Sequence, residues 1–170
     1  MPQKSMPDFI ADLERIGQLV RVKDEKRADE IPSIMDSIHD KAVLIERIRD
    51  HEFSLLAGAY SNRTQYAHAM GCDPRAVSAK LGELTNQRIP PVLVDSAPCK
   101  DVVLRGDEVD LTRFPLFLHH PHDGQAYIQD VNVVSRHPDT GLINWGMYRL
   151  MYRSKNETNV DMRNDSHHSR

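Results

Sequence analysis

The sequence predicts an α+β fold, with an N-terminal α/β domain over residues 1–98 and a β-rich segment over residues 99–170 that reads as the first part of a β-barrel. Three observations carry this. Helix-spaced apolar residues alternate with short β-branched runs through the first half. The stretch Ile89-Pro90-Pro91-Val92-Leu93-Val94-Asp95 then changes composition, as helix formers give way to Pro, Val and Leu. Beyond it, the signals are strands punctuated by turn residues.

In chain order, Asp8 is placed to cap a helix through Phe9, Ile10, Leu13 and Ile16, and Gly17 ends it. Leu19 to Val22 reads as a strand. The charged run Lys23 to Glu30 is a solvated connection, and Pro32 suits the first turn of a helix carrying Ile31, Ile34, Met35 and Ile38. Ala42 to Ile48 and Phe53 to Ala57 read as strands joined by the polar turn Arg49-Asp50-His51-Glu52. Helices follow at Arg63 to Met70 and Asp73 to Leu84, separated by Gly71 and Pro74. From Cys99 on, strands are expected at Val102 to Leu104, at Val109 to Leu111 after the Gly106-Asp107 turn, and at Tyr127 to Arg136 and Leu142 to Arg153 around Pro138-Asp139-Thr140-Gly141. These are too few to close a barrel and remove its edges.

Composition narrows the function classes. The formal net charge of −3 comes with no basic stripe and no interleaved aromatics, which argues against a nucleic-acid partner. Near the C-terminus Arg153, Lys155, Arg163 and Arg170 are offset by Glu157, Asp161 and Asp165. Cys72 and Cys99 form no CxxC pair, so a disulfide framework is not expected and both read as small, buried or half-buried residues. Residues 1–7 lack the apolar core of a signal peptide, and no window reaches transmembrane length, so the default expectation is a cytoplasmic protein.

Chemistry concentrates in Leu142-Ile143-Asn144-Trp145-Gly146-Met147-Tyr148-Arg149-Leu150 and in Met162-Arg163-Asn164-Asp165-Ser166-His167-His168. An arginine fork suits phosphate or carboxylate, imidazole is a common ligand for divalent ions, and an amide oxygen suits Mg²⁺ or Mn²⁺. The alternation of Ile143, Trp145 and Met147 with polar residues equally fits a half-buried strand. The cluster His119-His120-Pro121-His122-Asp123 reads as a polar loop, because zinc ligands normally come as spaced pairs with Cys partners.

The order Asp123-Gly124-Gln125-Ala126-Tyr127-Ile128-Gln129, His137-Pro138-Asp139-Thr140-Gly141 and Asn144-Trp145-Gly146-Met147-Tyr148-Arg149 resembles the UbiD family of reversible decarboxylases, which use prenylated FMN. Asp8 to Glu14, Gly17 to Val22, Glu30-Ile31-Pro32, Ala42 to Ile48 and Gly71-Cys72-Asp73-Pro74 resemble that family's first domain in the same order. The resemblance implies that the β-rich segment is the start of a split, flavin-reductase-like barrel. Gln125 stands where relatives carry a second Gly.

The resemblance implies a substrate that is a small aromatic or α,β-unsaturated acid, losing CO₂ without net oxidation. Prenylated FMN would come from a flavin prenyltransferase, and Mn²⁺ or a similar divalent ion, with K⁺ beside it, would accompany the cofactor phosphate. Asn144 and His167 would be the metal ligands. Trp145, Met147, Tyr148 and Arg149 would meet the cofactor, and Arg149, as the catalytic residue, would hold the departing carboxylate. Arg163, Asn164, Asp165, Ser166, His167 and His168 complete the expected cofactor-binding set, although Asn164 stands for an aromatic and His168-Ser169 for Arg-Gly. Family members are much longer and form homo-oligomers, and the acids that handle protons lie farther on. The expectation is therefore a fragment, a truncated gene product or one piece of a split enzyme, inactive alone. The competing expectation is a non-catalytic module that docks on a partner chain through unpaired edge strands.

Overall fold

The computed structural model describes residues 5–87 and 89–160. The chain divides into two compact units, Met1–Leu104 and Arg105–Arg170. Together they make a mixed α+β architecture of helices and two small sheets.

The first unit begins with α1 (Met6–Arg15), whose cap is Ser5 rather than the expected Asp8. The Ser5 hydroxyl oxygen accepts the Asp8 amide at 3.3 Å, so Asp8 sits inside the first turn, where its charge also favours the helix N-terminus. Phe9 and Leu13, four positions apart, are buried. The helix closes at Ile16, and Gly17 takes the left-handed conformation (φ +71°) that turns the chain into β1 (Leu19–Val22).

After α2 (Ile31–Ser37), β2 (Ala42–Ile45) returns parallel to β1, in register Leu19↔Ala42 to Val22↔Ile45. A hairpin connection then brings β3 (Leu55–Ala57) antiparallel to β2. β2 is thus the central strand, and all four of its residues are buried. The continuous apolar run that the sequence shows there is what a strand covered on both faces requires.

α3 (Arg63–Met70) and α4 (Val77–Thr85) complete the unit, with Gly71 in the left-handed conformation between them and a short 3-10 turn, Pro74–Ala76, leading into α4. The core joins Phe9, Leu13, Ile31, Val43, Ile45, Ala67 and Val77. The Phe9 ring stacks on Tyr60 with centroids 5.2 Å apart.

The strands expected at 102–104, which closes the first unit, and at 109–111, in the second, do not form. Val102 and Val103 stay exposed, and the chain then passes through the 3-10 turns Gly106–Glu108 and Leu111–Arg113. Local hydrogen bonds compete for the backbone: Glu108 accepts the Arg105 amide, and Asp110 accepts the Thr112 amide at 2.9 Å. β4 (Tyr127–Arg136) and β5 (Ile143–Ser154) form the expected hairpin. A further strand, β6 (Glu157–Val160), pairs antiparallel with β5. Sequence reading missed it, although Lys155-Asn156 is a two-residue turn between alternating segments. Cys72 is partly covered, while Cys99 is exposed and not half-buried as expected. Among the described residues no helix is long and apolar enough to cross a membrane.

Candidate functional site

The three-stranded sheet β4-β5-β6 carries the motif run. The β4–β5 turn is held by local chemistry. His137 donates its amide to Leu142 at 2.8 Å, and its Nδ1 accepts the Asp139 and Thr140 amides at 3.2 and 3.3 Å, which puts the neutral ring's proton on Nε2. Gly141 takes a positive φ (+70°), and Arg136 donates to its carbonyl at 3.1 Å.

From that turn β5 runs unbroken for 12 residues, and strand alternation sorts the motif onto two faces. Asn144, Gly146, Tyr148 and Leu150 share the partly covered face with Val131 and Val133 of β4. Ile143, Trp145, Met147 and Arg149 lie on the other face, opposite Arg136, Val134 and Asn132. That face is open: Trp145 is 69% exposed and Met147 73%. Every outright buried side chain among the described residues belongs to the first unit.

Asn144 and Arg149 are therefore not neighbours. They stand on opposite faces, separated by about 17 Å of extended chain. No bend within β5 turns the two toward one small group. They could meet only different ends of an elongated ligand. Arg149 instead lies over the ring of Tyr127, its Cζ 4.5 Å from the centroid. Tyr127 is brought there by an irregularity of register between Ile128 and Val131, within which Asp130 has φ +55°. Sequence reading gave Tyr127 no site role; the bulge shows only as a three-residue step from Ile128 to Val131 where Val131 to Val133 takes two.

Below the sheet's other end, the Lys155 ammonium is 3.2 Å from Asp110, and the Leu111 amide donates to the Lys155 carbonyl at 2.7 Å. Hydrogen bonds from the Thr112 hydroxyl and amide, with help from Lys155, hold the Asp110 carboxyl below its ordinary value of 3.8. His119 packs edge-on against Phe117, and the His120 amide donates to Asp123 at 3.0 Å, as in a polar loop. Among the described residues no group of three His, Cys, Asp or Glu side chains is placed to hold a metal ion. Arg163, Asn164, Asp165, Ser166, His167 and His168 lie outside the described residues.

Comparison with family models resolves the ancestry. Residues 10–85 match the 3-octaprenyl-4-hydroxybenzoate carboxy-lyase N-terminal domain, and residues 92–170 match the Rift-related domain of the same carboxy-lyase. The chain belongs to the UbiD family. A phenolic acid decarboxylase of Sedimentibacter hydroxybenzoicus is 26% identical over an alignment 176 residues long that covers 92% of this chain and 36% of that protein. Among solved structures, an evolved dimeric form of the UbiD-class enzyme HmfF from Pelotomaculum thermopropionicum, in complex with prenylated FMN, superposes with a TM-score of 0.87. It is 27% identical, and the match covers 94% of this chain and 38% of that one. The open form of the Sedimentibacter hydroxybenzoicus vanillic acid decarboxylase gives a TM-score of 0.83 at 26% identity, covering 94% of this chain and 37% of that one. The UbiD chain described here thus spans little more than a third of the length of these relatives.

Proposed function

We propose that this chain supplies the N-terminal domain and the first cofactor-facing strands of a UbiD-type decarboxylase that acts on an aromatic or α,β-unsaturated acid through prenylated FMN. The observation that carries the reading is β5 itself. One unbroken strand within the matched Rift-related segment offers an amide oxygen at Asn144, an open apolar face at Trp145 and Met147, and an arginine fork at Arg149.

This donor set fits the cofactor. The Asn144 oxygen is a hard ligand suited to a divalent ion such as Mn²⁺. The exposed indole and thioether give a flat ring system apolar contact and exclude water from it. His167 as second metal ligand, and Arg163 through His168 toward the phosphate, belong to the same proposal. Prenylated FMN, when bound, supplies the electron sink into which the carbon–carbon bond electrons pass as CO₂ leaves. Arg149 orients the carboxylate by two parallel charge-assisted hydrogen bonds, so that the bond to be cleaved is held in one geometry.

The test joins the remaining portion of a full-length relative to residue 170. The chimera is expected to retain flavin absorbance after gel filtration and to release CO₂ from an aryl or cinnamic-type acid, whereas the 170-residue polypeptide alone releases none. A folded chimera that retains no flavin would overturn the reading. The second reading, a non-catalytic module that docks on a partner chain, draws on the exposed Val134, Ile143, Trp145 and Met147. It would be favoured by a chimera that folds and assembles without flavin.

A further inference from the structure

We propose that Tyr127 is a positioning residue for Arg149, and that the bulge at Gln129 and Asp130 exists to put it there. The inference rests on the reading of Arg149 as the carboxylate clamp and deepens it. From Val131 to Arg136 the strand pairs run without interruption, Val131↔Tyr148 through Arg136↔Ile143. Continued unchanged, that register would set Tyr127 opposite Tyr152, on the face of Asn144. The pairs observed beyond the irregularity are Ile128↔Leu150 and Tyr127↔Met151.

One extra residue in β4 has reversed the alternation, since a slip of one position moves a side chain to the opposite face. Tyr127 thereby joins Arg149, and the guanidinium lies 4.5 Å above its ring centroid. The device has a conformational cost. Asp130 occupies the left-handed region (φ +55°), which Asp enters more readily than β-branched residues. The Tyr152 amide donates to the Ala126 carbonyl at 2.9 Å, so β5 stays tied to the chain on the far side of the bulge.

A ring is a suitable guide for this arginine. Stacking uses the face of the guanidinium and leaves its N–H donors, which lie in its plane, directed outward for a carboxylate. It also restricts a long side chain before any ligand arrives, which reduces the ordering that binding must impose.

The experiment follows heteronuclear relaxation at Arg149 Nε and the ring-current displacement of the Arg149 side-chain protons in the full 170-residue chain. Hydrogen exchange of the β4–β5 amides serves as the fold control. Tyr127→Leu is expected to abolish the displacement and raise Nε mobility to that of an exposed arginine, while Tyr127→Phe keeps both signatures. Asp130→Gly, which accepts positive φ, is expected to keep them, and Asp130→Val, which resists it, to lose them. Absence of any ring-current displacement in the wild-type chain overturns the proposal, as does an unchanged Nε in Tyr127→Leu or Asp130→Val. Failure of the clamp reading looks different: acid turnover in the chimera would survive Arg149→Ala while the Tyr127 signatures stayed intact.

Discussion

Asn62 and Gln65 cap one helix from both directions: the Asn62 side-chain oxygen accepts the Gln65 amide at 3.1 Å, and Gln65 Oε1 accepts the Asn62 amide at 3.1 Å. Gln65 is fully buried, and Oε1 also accepts the Ser61 amide at 2.6 Å and the Ser61 hydroxyl at 3.0 Å. The Asn62 amide group reaches away to the Gln18 side chain at 2.8 Å and the Asp40 carbonyl at 2.7 Å. The start of α3 is thereby fastened to the residue that leads into β1 and to the entry of β2.

Replacing Gln65 by Leu keeps the volume but leaves the Ser61 and Asn62 amides without their acceptor. The expected loss is about 1–3 kcal/mol of folding stability. Urea unfolding followed by circular dichroism reads it, and a midpoint unchanged from wild type would show that water replaces the lost acceptor.

Arg21 on β1 bridges Glu14 of α1, at 2.6 and 2.8 Å, and Glu46, at 2.9 Å. The hydrogen bonds from Arg21 hold the Glu14 carboxyl below its ordinary value of 4.5. A group depressed in the folded state adds stability above its unfolded value and loses that addition as pH falls through the folded one. Thermal unfolding between about pH 6 and about pH 3, which spans the carboxylate range, is expected to show a shallower acid decline for Glu14→Gln than for wild type. Parallel declines would mean that the bridge is screened to nothing.

Trp145 is the sole tryptophan and therefore reports on the open face of β5. At 69% exposure, its emission in the 170-residue chain is expected to resemble that of a solvated indole and to be quenched readily by acrylamide. In the chimera it should shift to the blue and resist quenching. A blue-shifted emission from the short chain at high concentration, reversed on dilution, would instead mean that a second copy covers the face.

In the chimera, Asn144→Ala is expected to weaken metal-dependent flavin retention, whereas Arg149→Ala should spare flavin binding and remove turnover. Loss of a charge-assisted contact to the carboxylate corresponds to about 1.5–3 kcal/mol of transition-state binding. Flavin absorbance and CO₂ release separate the two. Near-normal turnover by Arg149→Ala with saturating acid would return Arg149 to the role of a strand residue stacked on Tyr127.

Local rules made much of this protein legible from its sequence. Phe9 and Leu13 announce the buried stripe of α1, Gly17 and Gly71 mark helix ends by their tolerance of positive φ, and Pro138-Asp139-Thr140-Gly141 marks the β4–β5 turn. The family was legible as well, because collinear motifs survive in the sequence even where identity to the relatives is low. Each of these signals arises from residues within a few positions of one another. What only the tertiary structure decided depends on pairing between distant segments. Val102 to Leu104 have strand-forming side chains but remain unpaired. Tyr127 stands with Arg149 because β4 carries one residue more than β5 across the bulge. A strand's period tells which residues share its face. The register with its neighbour decides which residues of two strands meet, and a single added residue changes that answer.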